Sequence, residues 1–401
     1  MIWKRFKAVA SWLHLWVGLV TGMVVVIVGT TGCILVFEDE LFDYFHRDII
    51  EVTETGPARP VSELLATVQK HVGKKGITDV RMNEADQSYV FTARELNKVK
   101  DMNLSCFSQF KYYDNIYVNQ YTGKVTGTID ITSDFFYITE QLHRQLLLVK
   151  PVGSVVVGSC ILLFLLMMIT GFILWLPKNY KQFKQNISVK WKAKFKRINY
   201  DLHNSFGFYV LPIAILIAIT GLVWSFKWWE AGIYSMLGEK EPIKLVRKAP
   251  HLTTADTTDN HINMIVADLE SQLKGDYRLI GLSLPSAESK VMMAFVYGKQ
   301  RVDNWRNMSY YFYDGRTGKM IDKMRHGEKP LGLKWRNSNK DIHTGRIFGP
   351  VTQILAFLAS FICASLPVTG FLIWWGKRNK KNKKKAGIQH KKTPQPALNT
   401  I

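Results

Sequence analysis

Residues 204–226 run without one charged side chain. At about 1.5 Å per residue, such a stretch crosses the roughly 30 Å of bilayer hydrocarbon as a helix, the form that satisfies its own backbone in lipid. A histidine, His203, stands just before it, with Gly207 four residues on and Thr220-Gly221 further along. An earlier apolar run repeats this register, with His14, Gly18 and Thr31-Gly32 at the same separations. Two further runs match each other. His143 leads through Pro151 into residues 152–177, and His343 leads through Pro350 into residues 351–376. Their endings, TGFILW at 170–175 and TGFLIW at 369–374, differ by one exchange of Ile and Leu. The pattern predicts an internal two-fold duplication in which each copy reads span, extramembrane segment, histidine, span.

A net charge of +21 invites a nucleic-acid partner, but its distribution points elsewhere. Lys4, Arg5 and Lys7 precede the first span. Residues 178–197 hold eight Lys/Arg and no acid, and the tail after Trp375 holds nine and no acid. That is the positive-inside pattern, which places both termini and the central linker in the cytoplasm. The run KRNKKNKKK at 377–385 reads as a topology anchor against anionic lipid, with no nucleic-acid role. The first apolar run continues to Phe37, too long for a signal peptide. Thr30-Thr31-Gly32-Cys33 lacks the apolar residue that opens a lipidation box. Cys33, Cys160 and Cys363 lie in spans and Cys106 stands alone outside, so no disulfide framework is expected.

Both extramembrane segments read as small α+β domains. In the first, Leu64, Leu65, Val68 and Val72 share one face of a helix over 61–72, followed by strands at 78–82, 88–93 and 113–118. In the second, a helix over 261–273 precedes strands at 279–284, 291–297 and 309–313. Each series ends in a polar turn, Tyr121-Thr122-Gly123-Lys124 and Arg316-Thr317-Gly318-Lys319, a hairpin signal.

The turn pattern (Y/F)-x-(D/N)-x-x-TGK after a short helix and strands resembles the PepSY domain. Its placement between spans marked by His and TGF-x-x-W is similar to the PepSY-associated transmembrane family, often called iron-regulated membrane proteins, over about residues 12–375. The expected fold class is a membrane α-helical bundle of four transmembrane helices with two α+β PepSY-like extracytoplasmic domains. The segments are a first span (10–37), a periplasmic domain (38–142), a histidine segment with the second span (143–177) and a basic linker (178–202). A third span (203–226), a second periplasmic domain (227–342), a histidine segment with the fourth span (343–376) and a basic tail (377–401) follow. The resemblance implies an inner-membrane ferric-siderophore reductase with b-type haem. Some members carry a fused cytoplasmic flavin domain. None is seen here, so a separate donor, a soluble flavoprotein or quinol, is expected.

Ionisable or ligating side chains at the edge of a membrane bundle are candidates for function. His14 and His203 lie at the cytoplasmic ends of their spans, and His143 and His343 lie before the outer ends of theirs. Two histidines per side, from different helices, suit one six-coordinate haem per side with these residues as iron ligands, and the resemblance implies that the two groups are haem b. Gly18 and Gly207 would clear space for the macrocycle. Arg144 and Arg346 outside, and Arg5 and Arg197 inside, are candidates for haem propionates. Zinc is the alternative metal, but it takes four ligands, and Asp201 and Asp341 are the acids near these histidines. His46, His71, His251, His261, His326 and His390 read as ordinary surface groups, and the tryptophans at span ends as interfacial belts.

One tension is geometric. His143 and His343 stand eight and seven residues before Pro151 and Pro350. A straight helix would carry them roughly 10 Å beyond the hydrocarbon. The prolines are expected to end short surface helices, such as one over 135–150. Two other functions stay open: a non-enzymatic regulator anchored by its spans, and a metal or siderophore transporter.

Overall fold

The computed structural model describes residues 2–98, 101–247, 261–285 and 290–392, with side chains of the last helix described through 379. His251, the side chain of His390 and the basic tail beyond 379 lie outside the described side chains. In chain order the helices are α1 (Ile2–Val36), α2 (Glu38–Phe45), α3 (Arg47–Ile50), α4 (Val61–Val72), α5 (Phe135–Gln145), α6 (Lys150–Trp175), α7 (Tyr180–Asn186), α8 (Phe195–Asp201), α9 (Gly207–Ser225), α10 (Lys227–Met236), α11 (His261–Leu273), α12 (Leu331–Thr344) and α13 (Pro350–Lys392). The strands are β1 (Ile77–Met82), β2 (Tyr89–Leu96), β3 (Phe110–Val118), β4 (Val125–Asp130), β5 (Leu279–Ser283), β6 (Val291–Tyr297), β7 (Met308–Asp314) and β8 (Met320–Met324). The chain divides into two compact units. One comprises Met1–Cys33, Ser159–Ala218 and Phe357–Ile401, the other Ile34–Gly158 and Ile219–Ala356.

The first unit is helical. Ile2–Val36, Lys150–Trp175, Phe195–Ser225 and Pro350–Asn379 are each long and apolar enough to cross a membrane, and the chain is a multi-pass membrane protein. Lipid supplies no hydrophobic drive between helices, so close contact falls to small residues. A Cβ at Gly29 of α1 would lie 2.9 Å from the Ala364 Cβ of α13, and one at Gly22 would lie 3.2 Å from the Pro367 Cβ. Val25, Phe164, Met168, Val210, Ala214 and Ala359 form the buried centre. Val20, Met23 and Phe361 are exposed apolar side chains, as a lipid-facing surface requires.

The second unit holds one antiparallel sheet of order β4-β3-β2-β1-β5-β6-β7-β8. Sequence reading expects two separate α+β domains. Instead the two segments share this sheet through β1 and β5, whose register sets Val80 opposite Leu282 and Arg81 opposite Gly281. Each four-stranded half alone would leave an unpaired inner edge, and joining them removes both edges. Helices α4 and α11 pack on the sheet, burying Leu64, Val68, Ile265 and Leu269 among Val80, Phe91, Leu282 and Ala294. Asn263 ties the helices together, accepting from the Ser62 backbone N–H at 3.0 Å and donating to Ser62 Oγ at 2.7 Å.

The two TGK turns are built alike. Asn119 Oδ1 accepts from the Tyr121 and Thr122 backbone, and Asp314 Oδ1 accepts from the Arg316 backbone. Gly123 and Gly318 supply φ of +72° and +68°. Strands β4 and β8, which follow these turns, have weak alternation and escape the sequence reading.

The prolines do not end the histidine helices. Helix α5 stops at Leu146 and Leu147, both left-handed (φ 53° and 60°), and α12 stops at Gly345 (φ 78°). Pro151 and Pro350 fall in the first turns of α6 and α13, where a missing N–H costs nothing. Gly153 accepts the end of α5 at close range, since a Cβ there would collide with the Gln145 carbonyl. His143 and His343 are thereby turned away from straight extensions of the spans.

Lys329, just before α12, is 4% exposed; its Nζ has no hydrogen-bond partner among the described residues and lies 4.3 Å from the Tyr310 ring centre. Burial, helped by nearby Lys334, brings its pKa down to about 7. An unfolded lysine titrates near about 10.4. Across that window the unfolded chain keeps a proton that the folded chain has shed, so stability rises with pH. Lys329→Met is expected to raise the thermal midpoint at pH 6. It should also flatten the rise between pH 7 and 10, measured by unfolding scans in detergent.

Candidate functional site

His14 projects from α1. His203 lies in a π-helical turn, Leu202–Phe206, between α8 and α9. Such turns add one residue to a helix and recur at functional sites. The two imidazole centres are 6.3 Å apart with planes at 86°. His14 Nδ1 lies 3.1 Å from the Met167 carbonyl and 3.3 Å from Thr170 Oγ1. His203 Nδ1 lies 2.9 Å from Thr369 Oγ1. The glycine after each threonine makes room for the ring. A Cβ at Gly171 would lie 3.0 Å from His14 Cε1, and one at Gly370 would lie 3.2 Å from His203 Cε1.

The second unit contains the other pair. The rings of His143, on α5, and His343, on α12, are again 6.3 Å apart, with planes at 76°. His343 Nδ1 lies 3.0 Å from Thr220 Oγ1, and a Cβ at Gly221 would lie 3.0 Å from its Cε1. Trp224 meets the same ring edge-on at 5.3 Å. Asn339 fixes the threonine's backbone, donating to the Thr220 carbonyl at 3.1 Å.

These spacings have a chemical reading. A metal–imidazole bond is about 2.0–2.1 Å, and a five-membered ring's centre lies about 1.1 Å from its nitrogen. Two imidazoles on opposite faces of one ion therefore sit with centres about 6.3 Å apart. Among the described residues no group of three or more His, Cys, Asp or Glu could hold a metal. Asp201 is engaged by Arg197 at 2.9 Å, and Asp341 by Arg301 at 2.8 Å and by Arg306. A bare zinc ion would lack ligands at either pair. A metal arriving with its own equatorial ring would not.

The first pair faces a cavity of about 400 Å³, within the range of cofactor sites. Its walls are mainly apolar, Phe164, Met168, Leu211 and Pro367 among them, and Ser11, Tyr200, Asn204 and Lys377 add polar groups. Gly18 and Gly207 both line it. A Cβ at Gly18 would meet Met167 Sδ at 2.9 Å, whereas one at Gly207 meets only Leu366 methyls at 3.7 and 3.9 Å. An apolar slot with a few polar groups and two facing imidazoles suits a flat macrocycle bearing carboxylates.

The arginines singled out in the sequence are otherwise employed. Arg144 pairs with Glu140 at 2.6 Å. Arg346 pairs with Asp39, and with Glu40 at 2.6 Å. Arg197 holds Asp201, and the cation lining the cavity is Lys377, not Arg5 or Arg197. Trp175 is more than belt, since it lines the cavity and stacks on Phe208 at 3.7 Å with planes 1° apart. Sequence reasoning used the Thr-Gly pairs as repeat markers and missed what they touch. Their recurrence in all four spans was the available signal.

The model of a family described as the PepSY-associated TM region matches residues 11–377. No curated protein matches the chain. Two glycine variants test the site's packing. Gly207→Ala should be neutral or stabilising by up to about 1 kcal/mol. Gly171→Ala, despite the same propensity gain, should destabilise by about 1–3 kcal/mol by pushing His14 off Thr170. Denaturant unfolding of the full chain in detergent reads both.

Proposed function

Because the chain belongs to the PepSY-associated TM family, we propose that it is a di-haem electron carrier of the bacterial inner membrane. His14 with His203, and His143 with His343, each hold one haem b. The observation that carries this reading is the 6.3 Å ring separation occurring twice. The repeated histidine and Thr-Gly registers support a duplicated ancestry. The three basic flanks support cytoplasmic termini. The segments forming the eight-stranded sheet then lie outside, as PepSY-like domains.

Held between two imidazoles, a haem exchanges single electrons and keeps no open position for oxygen. The chain's own residues do the rest. His14 and His203 would hold the iron, and Phe164, Met168 and Leu211, which line the same cavity, would keep water from the ring. Lys377, Tyr200 and Asn204 receive the propionates. With haem at both pairs, electrons from a flavoprotein or quinol would enter at the cytoplasmic pair and leave at the outer pair. The acceptor is ferric iron in a siderophore, since reduction weakens its hold by hard oxygen ligands and frees it.

A reduced-minus-oxidised visible spectrum of the detergent-purified chain should show b-type haem at two per chain. His203→Ala and His343→Ala should each remove one. Near-perpendicular imidazoles also predict a strongly anisotropic low-spin ferric EPR signal. A chain without haem absorbance, or one whose haem count survives both substitutions, sinks the reading.

A further inference from the structure

The contacts around His14 and His203 decide where each ring carries its hydrogen. A threonine hydroxyl has one hydrogen to give. Thr170 Oγ1 lies 3.1 and 3.0 Å from the Leu166 and Met167 carbonyls, and Thr369 Oγ1 lies 3.2 and 3.0 Å from the Ser365 and Leu366 carbonyls. Both hydroxyls thus donate into their own helices and turn lone pairs toward the imidazole. A backbone carbonyl, which can only accept, also faces His14 Nδ1, that of Met167. An acceptor at Nδ1, one for His203 and two for His14, requires that nitrogen to be the donor. A neutral imidazole has one N–H, so Nε2 is left bare. Among the described residues, Nε2 of neither ring has a hydrogen-bond partner.

We propose that the Thr-Gly dipeptides are ligand-positioning devices. Thr170 and Thr369 hold His14 and His203 as the Nδ1–H tautomer and fix the ring plane. Gly171 and Gly370 let each ring lie against the neighbouring helix, so that Nε2 is presented as a ready lone pair. At His343 a Thr-Gly pair takes the same places, with Thr220 Oγ1 3.0 Å from Nδ1 and Gly221 against Cε1. Each holder lies in the same half of the chain as its histidine, while each ring pair joins the two halves. A hydrogen bond from the far nitrogen of a ligating histidine raises its basicity as well as orienting it. The threonines therefore favour the ferric state and lower the reduction potential. The tautomer stands apart from the haem reading; the effect on potential rests on it.

The test uses the full chain in detergent, labelled with ¹⁵N-histidine, with His203→Gln assigning the signal. Wild-type His203 should show a protonated Nδ1 and a bare Nε2 even before haem is added. Protonation at Nε2 instead would overturn the proposal, whether or not haem binds. A chain with the expected tautomer that takes up no haem supports the positioning and removes only the proposed function. In the haem-loaded chain, Thr369→Val should raise that haem's potential and weaken its retention by about 10–100-fold. Thr369→Ser should restore both, which a mere packing role would not. Thr170→Val provides the same comparison at His14. Unchanged potential and retention in both valine variants would overturn the role given to the threonines.

Discussion

An imidazole within an apolar bundle has to satisfy its N–H inside the protein, because lipid offers no acceptor. That constraint explains the site's construction. The acceptors come from the neighbouring helix of the same half, a Thr hydroxyl already committed to its own backbone and, for His14, also the carbonyl three residues before it. Satisfying one ring nitrogen this way leaves the other exposed to whatever lies between the two rings. The glycine beside each threonine follows from the same need, since a methyl there would meet the ring at 3.0–3.2 Å.

Backbone irregularity aims the rings. The π-helical turn at Leu202–Phe206 rotates His203 relative to the helix that follows. In the other unit, left-handed residues at Leu146, Leu147 and Gly345 end the histidine helices before the prolines begin the next ones. Each device departs from regular helix within a short segment beside a candidate ligand. Both histidine pairs nevertheless reach the same ring separation, which argues for a common occupant.

Much of this was legible in advance because bilayers restrict what a chain can do. Uncharged runs, flanking lysines and the four histidines stand out from residue type and spacing alone. So did helices α4 and α11, whose apolar faces repeat at helical intervals. What stayed hidden was tertiary. No local pattern announces that β1 will pair with β5, since an edge strand and a central strand differ only in their neighbours. The roles given to Arg144, Arg346 and Arg197 rested on proximity in sequence, which does not show that these guanidinium groups pair with Glu140, Glu40 and Asp201. The π-turn, too, follows from packing and leaves no residue signature.

The antiparallel seam between β1 and β5 is the pairing that two copies of one segment would make about a two-fold axis. On the proposed duplication, a single ancestral half would have been an obligate homodimer, with every ligand pair composed of identical residues. Fusion released the halves from that identity. His343 now has Trp224 against its ring, whereas the matching position in the first half is Leu35. The two rings of one histidine pair can thus have different surroundings, a freedom closed to any symmetric assembly.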